Sequence, residues 1–208
     1  MNFLAVDTSG NHLVVVACKD GGIFFGKIEN CAMKHSTSLM GVIDETLKRA
    51  DLSSADCEFF AAAVGAGSFT GIRIGISVAK GFALAHGKKT LPITSFDTIA
   101  YTRIEKKQLC VIDALHGSYY VCGYENGQVT YAPAYLTEEE VLALAADGYA
   151  LRAGSAVPLS AKADVEIVDV AEGLKNAVLD KAEKGEFGEL TALYVRKSSA
   201  EINLEGAK

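Results

Sequence analysis

Val64-Gly-Ala-Gly-Ser-Phe-Thr-Gly-Ile-Arg-Ile-Gly-Ile-Ser-Val-Ala-Lys-Gly-Phe82 is the stretch on which the fold turns. The apolar run ahead of it, Phe59 to Val64, reads as a strand that breaks at Gly65 and Gly67. From Ile72 to Ala85 small and β-branched residues follow helical spacing. A strand, a glycine loop and a helix N-terminus have the shape of an anion site. The first helical N–H groups are unpaired, and the helix dipole favours negative charge there. The loop misses both standard nucleotide patterns, however. Gly71 is followed by Ile72 and Arg73 where a P-loop needs lysine, and Thr70 stands where G-x-G-x-x-G needs its third glycine. Arg73 is the charged residue best placed for an anion, with a salt bridge or a surface position as its plainer role.

Upstream, Asn2–Val6 is a buried strand ending at the turn Asp7-Thr8-Ser9-Gly10. Leu13–Cys18 and Ile23–Glu29 are two more strands joined through Asp20-Gly21-Gly22, and tight turns between them make an antiparallel meander. His35–Ala50 is an amphipathic helix with Leu39, Val42, Ile43, Thr46, Leu47 and Ala50 on one face, and Ser36 or Thr37 as cap. Leu91-Pro92-Ile93 is a short apolar segment, and Ser95 is the expected cap of a short helix to Tyr101. A second cycle opens near Lys106. Strands Gln108–Asp113, Tyr119–Tyr124 and Gln128–Tyr135 precede a helix from Thr137, then apolar segments at Tyr149–Ala153 and Val165–Val168 and a helix Val170–Lys184. The first strand of each cycle ends in aspartate, Asp7 or Asp113. The expectation is an α/β protein of two similar βββαβα units, residues 1–103 and 104–208, facing each other across a cleft.

Composition narrows the class of function. Across 208 residues half are hydrophobic and 22% are charged, as in a folded globular protein, and the net charge of −6 gives no basic footprint for nucleic acid. Five scattered cysteines without a C-x-x-C pair suggest reduced core thiols. The N-terminus lacks a signal peptide's basic region and no 18-residue apolar span occurs, so a cytoplasmic protein without a membrane anchor is expected.

The chemical inventory is thin. None of the four histidines pairs at i, i+4, so no metal site is expected. There is no G-x-S-x-G elbow, and no histidine is linked to Ser68 as a nucleophile's base. Asp7-Thr8-Ser9-Gly10 reads either as a magnesium- and phosphate-positioning turn or, more simply, as an Asx-turn opening a hairpin. Asp7, Gly67, Ser68 and Arg73 are the candidates for a residual ligand loop, with no catalytic residue and no cofactor expected. In the helix after the loop, Gly71, Gly75, Ala79 and Ala83 recur every four residues, while Ile72, Ile76, Val78 and Phe82 make its other sides apolar. Such a helix is buried on more than one face, by its own chain or by a partner.

The run Gly65–Gly75 followed by Ala79-Lys80-Gly81 resembles the signature of the TsaB (YeaZ) family. Asp7-Thr8-Ser9, His35-Ser36, Ser95-Phe96-Asp97, Asp113-Ala114 and Leu193-Tyr194-Val195-Arg196 fit it too. The likeness covers the whole chain and is tightest over the first 100 residues. It departs at Ala66, where the family usually has proline, and after Asp113-Ala114, where Leu115-His116-Gly117-Ser118 replaces the usual basic residue and glutamate.

The resemblance implies the two-domain actin-like ATPase and sugar-kinase (ASKHA) fold. It implies an accessory, non-catalytic subunit in tRNA threonylcarbamoyladenosine synthesis. The metal and the transfer chemistry would lie in a paralogous partner, TsaD, with a small ATPase, TsaE, joining them and tRNA reached through the complex. Packing of the first-domain helices against TsaD would use Met40, Ile43, Gly75, Ile76, Ala79 and Ala83, and the same face would give a homodimer in isolation. The rival is a nucleotide-dependent phosphotransferase with Asp7 and Asp113 across the cleft; a glycopeptidase-like protease is the third reading.

Overall fold

A computed structural model describes residues 1–31, 34–104 and 107–196; the expected start of the second cycle at Lys106 and the tail beyond Arg196 lie outside them. The first sheet is built from β1 (Phe3–Asp7), β2 (Leu13–Lys19), β3 (Gly22–Ile28), β4 (Phe59–Ala63) and β5 (Lys89–Ile93), in the order β3-β2-β1-β4-β5. β1, β2 and β3 form the antiparallel meander, and β4 joins β1 in parallel with Phe3 opposite Phe59. The parallel crossovers carry α1 (His35–Arg49) and α2 (Phe69–His86). The second sheet comprises β6 (Gln108–Asp113), β7 (Ser118–Glu125), β8 (Gln128–Thr137), β9 (Ala150–Ala153) and β10 (Val165–Ile167), in the order β10-β9-β6-β7-β8. Its strand order and strand senses are those of the first sheet. The connections differ: α4 (Glu138–Ala146) matches α1 in place, but between β9 and β10 there is only a 3-10 turn, Pro158–Ala161.

Strand alternation sorts the core into layers. Leu4, Val6, Leu13, Val15, Phe60 and Ala62 face α1 and α2, where Leu39, Ile43, Leu47, Ile72, Ile76, Ala79 and Ala83 meet them. Phe3, Ala5, Val14, Val16, Phe59 and Ala61 face the opposite way. They pack on α3 (Ser95–Ala100) and α5 (Val170–Glu183), which in turn meet Cys110, Cys122 and Tyr124 of the second sheet. The far side of that sheet, with Leu109, Val111, Tyr119 and Val121, is covered by Val141 of α4 and Leu159. The central strands are thus buried on both faces, which is why they read as continuous apolar runs.

Polar groups pin the two halves together. Asp97 on α3 accepts from the Tyr124 hydroxyl at 2.9 Å and pairs with Lys181 of α5 at 3.1 Å. Asn176 of α5 donates to the Tyr101 carbonyl at 2.9 Å. After α5 the chain returns to the first sheet, with the Gly188 N–H bonded to the Thr90 carbonyl and the Leu193 N–H to the Val64 carbonyl.

Three helix starts differ from the sequence expectation. Ser36 and Thr37 lie inside α1, whose first turn has no side-chain cap; Lys34 precedes it. α2 begins at Phe69 rather than Ile72, because the Ser68 hydroxyl accepts from the Gly71 N–H and caps it. The cap of α3 is Thr94, in a reciprocal capping box with Asp97, and not Ser95.

Candidate functional site: the cleft between the sheets

The ends of β1 and β6 open onto a cleft of about 700 Å³ between the two halves. Ser9, Gly67, Ser68, Phe69, Asp113, Leu115, His116 and the segment Leu193–Arg196 line it. At its base a smaller cavity of about 70 Å³ is lined by both Asp7 and Asp113. Sequence symmetry expected these two aspartates to flank a cleft, and they do. Each closes an Asx-turn: Asp7 Oδ1 accepts from the Ser9 N–H and Asp113 Oδ1 from the Leu115 N–H, both at 2.8 Å. The Ser9 hydroxyl also donates to Asp7 Oδ1 at 2.6 Å, and Ser95 donates to the Ser9 hydroxyl at 2.7 Å. Ser95, expected as a cap, is therefore the outer member of a chain ending on Asp7. Burial pushes the Asp7 carboxyl above its usual range, against the pull of the two Ser9 hydrogen bonds.

The glycine loop is filled by the chain's own backbone. The Thr8 carbonyl oxygen sits where a β-carbon at Gly71 would go, and the Ser9 carbonyl oxygen where one at Gly67 would go. The Ser68 N–H donates to the Ser9 carbonyl at 2.7 Å, and the Thr8 hydroxyl donates to the Gly71 carbonyl at 2.7 Å. Two N–H groups that a phosphate cradle would offer, those of Ser68 and Gly71, are thus taken internally. What the loop does chemically is dock the Asp7–Ser9 turn on the start of α2.

Of the ligand-loop candidates, the structure brings Gly67 and Ser68 to the larger cleft and Asp7 to the smaller cavity. Arg73 lines neither. Its guanidinium lies 4.0 Å from the centre of the Phe69 ring, and its Nε donates to the Tyr194 hydroxyl at 2.9 Å. Of the six interface candidates, Ile43, Gly75, Ile76, Ala79 and Ala83 are turned to the first sheet and buried, while Met40 stands 52% exposed. Sequence reasoning missed the Phe69–Tyr194 stack and the pairing of Arg196 with Tyr135, since both join residues more than 60 positions apart. The motif Leu193–Arg196 was the sole signal.

The family model described as TsaD, tRNA N6-adenosine threonylcarbamoyltransferase, matches residues 21–201. The chain belongs to this family, on its TsaB (YeaZ) side. It is 32% identical over 124 residues to the tRNA threonylcarbamoyladenosine biosynthesis protein TsaB of Buchnera aphidicola, covering 56% of this chain and 57% of that protein. Against Escherichia coli TsaB it is 30% identical over 132 residues, covering 62% and 57%. The matches therefore span little more than half the length of these TsaB relatives. Among solved structures, YeaZ from Pseudomonas aeruginosa shares the fold, with a TM-score of 0.73 at 22% identity over 93% of this chain and 99% of that one. A second Pseudomonas aeruginosa structure, described as similar to peptidase YEAZ, gives a TM-score of 0.75 at 22% identity over 94% and 99%. This is the actin-like ATPase type of fold expected from the TsaB likeness. Among the described residues no cluster of three or more His, Cys, Asp or Glu could hold a metal ion, and no described helix is long and apolar enough to cross a membrane.

Proposed function

We propose that this chain is a non-catalytic scaffold subunit in the cytoplasmic machinery that adds the threonylcarbamoyl group to the adenosine beside the anticodon of tRNAs. The observation that carries the reading is the occupation of the glycine loop by the Thr8 and Ser9 carbonyls. A loop with the outline of a phosphate cradle serves to seat a helix. The names of its TsaB relatives, biosynthesis proteins rather than transferases, support an accessory role. The same occupation argues against the phosphotransferase reading.

The partner is a TsaD-like catalytic subunit, docked on the layer of α1 and α2, with a TsaE-like ATPase joining the pair and tRNA reached through the complex. Because Ile43, Gly75, Ile76, Ala79 and Ala83 hold the helices on the sheet, contact falls to outward positions, Met40 on α1 and Leu84 on α2, the latter 86% exposed. Large apolar side chains standing exposed on this layer favour an interface over plain solvation. Without the partner, the same layer would pair two copies. Residues 1–103, which hold this layer, and 104–208 act as the two subdomains.

Depletion of the protein followed by nucleoside analysis of total tRNA tests the function. Loss of threonylcarbamoyladenosine is expected, and normal levels would overturn the proposal. Calorimetry with ATP and magnesium tests the rival, which needs micromolar binding by the isolated chain.

A further inference from the structure

The segment Leu193–Arg196 bridges the mouth of the cleft and is attached to both halves. On the first half the Leu193 N–H donates to the Val64 carbonyl at 2.7 Å, and the Leu193 carbonyl oxygen lies 2.6 Å from the place of a β-carbon on Gly65. The Tyr194 ring stacks on Phe69 with centroids 4.4 Å apart, and Arg73 binds its hydroxyl. Two residues on, Arg196 Nη1 donates to the Tyr135 hydroxyl of β8 at 3.0 Å, and the guanidinium lies 4.8 Å from the centre of that ring. Tyr135 leans on Tyr120 at 5.8 Å. Leu193, Tyr194, Val195 and Arg196 all line the cleft that they cross.

We infer that this segment is a strap that sets the width of the cleft and links it to the first turn of α2. The two attachments are unequal. The first-half anchor combines backbone pairing, a glycine seat, a ring stack and a hydrogen bond. Among the described residues the polar second-half anchor is one exposed arginine, Arg196, on the Tyr135 ring, a contact that water competes for and that is correspondingly weak. The strap therefore stays on the first half and lets go at Arg196. Its other end rests on Phe69 and Arg73, so a shift of the α2 N-terminus is carried to the cleft through Tyr194 by direct contact. This accounts for Arg73, whose charge serves neither an anion nor a salt bridge among the described residues.

The test follows hydrogen exchange and cleft width in the full chain. In Arg196→Ala, exchange in the turn 113–118 and in β8 should rise roughly two- to fivefold, the scale of one exposed cation–π contact, with α1 and β4 unchanged. Tyr135→Ala, which removes the same contact from the other side, should do the same, and the double variant should add little. Arg196→Lys, which keeps charge on the ring, should recover part of the protection. Spin labels on Thr70→Cys, next to Phe69 of the cleft lining, and on Leu115→Cys, in the lining of the other half, both exposed, report the width. The native cysteines are buried, and burial pushes the thiols of Cys57 and Cys122 up to about 12, so they stay unlabelled. A longer or broader distance in Arg196→Ala supports the strap. Unchanged distances together with unchanged exchange in both single variants would overturn it, whatever the outcome for tRNA modification.

Discussion

Thr8 holds Gly71 from two sides: its hydroxyl donates to the Gly71 carbonyl at 2.7 Å, while its own carbonyl oxygen fills the space that a side chain at position 71 would need. A strand end and a helix start are thereby locked together, and the Asp7–Ser9 turn becomes part of the seat of α2. Gly71→Ala should cost about 3 kcal/mol, at the upper end for overpacking, because the obstacle is backbone and cannot rotate away. Chemical denaturation checks this. A loss within about 0.5 kcal/mol, the range of an ordinary surface change, would show that the turn can move aside.

Asp7 should behave as a buried carboxylate that destabilises the fold when ionised. Burial raises its pKa from the usual 3.8, so its stabilising contribution is complete below 3.8 and is lost as pH rises through the elevated folded value. Asparagine keeps an acceptor for the two Ser9 donors without the charge. Asp7→Asn should therefore melt higher than the parent at pH 7, with the difference closing at pH 3.8 and below. A variant that melts lower across the whole range would mean that the charge itself holds the turn.

His35 works in the opposite direction. It opens α1 with its ring buried, and neither ring nitrogen has a hydrogen-bond partner among the described residues. Burial lowers its pKa from the usual 6.5, so the stability it contributes is complete above 6.5 and is lost as pH falls through the depressed folded value. Melting followed by circular dichroism should show a loss of stability on acidification below 6.5 that His35→Phe flattens. A parent curve and a variant curve of equal slope between pH 6.5 and 5 would remove His35 from the account.

The helix layer gives a contrast between buried and exposed positions. Ile76→Glu puts a charge in the core against the first sheet and should unfold the protein or cost several kcal/mol. Met40→Glu and Leu84→Glu lie outside that core and should fold with parental melting curves, yet lose co-purification with a TsaD-like subunit. Retention of the partner by the Met40→Glu, Leu84→Glu double variant would move the interface off this layer.

Much of the architecture was legible in the chain because local rules govern it. The apolar runs and tight turns of the meander, the period near 3.6 in α1, the turn at Asp20-Gly21-Gly22 and the acidic start of α4 all act within a few residues. The two strand-end aspartates and their Asx-turns were likewise local events. Caps were less secure: Ser95 was the expected cap, but its hydroxyl goes to Ser9 and Thr94 caps α3 instead.

The opening stretch shows where sequence stops. Strand, glycine loop and small-residue helix were determined by Phe59–Phe82, and the tightest part of the family likeness lies in the same stretch. What the glycines are for was not. Only the tertiary structure put the Thr8 and Ser9 carbonyls into the loop, turned Gly75 and Ala79 to the sheet, and drew Arg73 to Tyr194. Close approach between segments more than 50 residues apart depends on how whole layers pack, and no short window of residues encodes that.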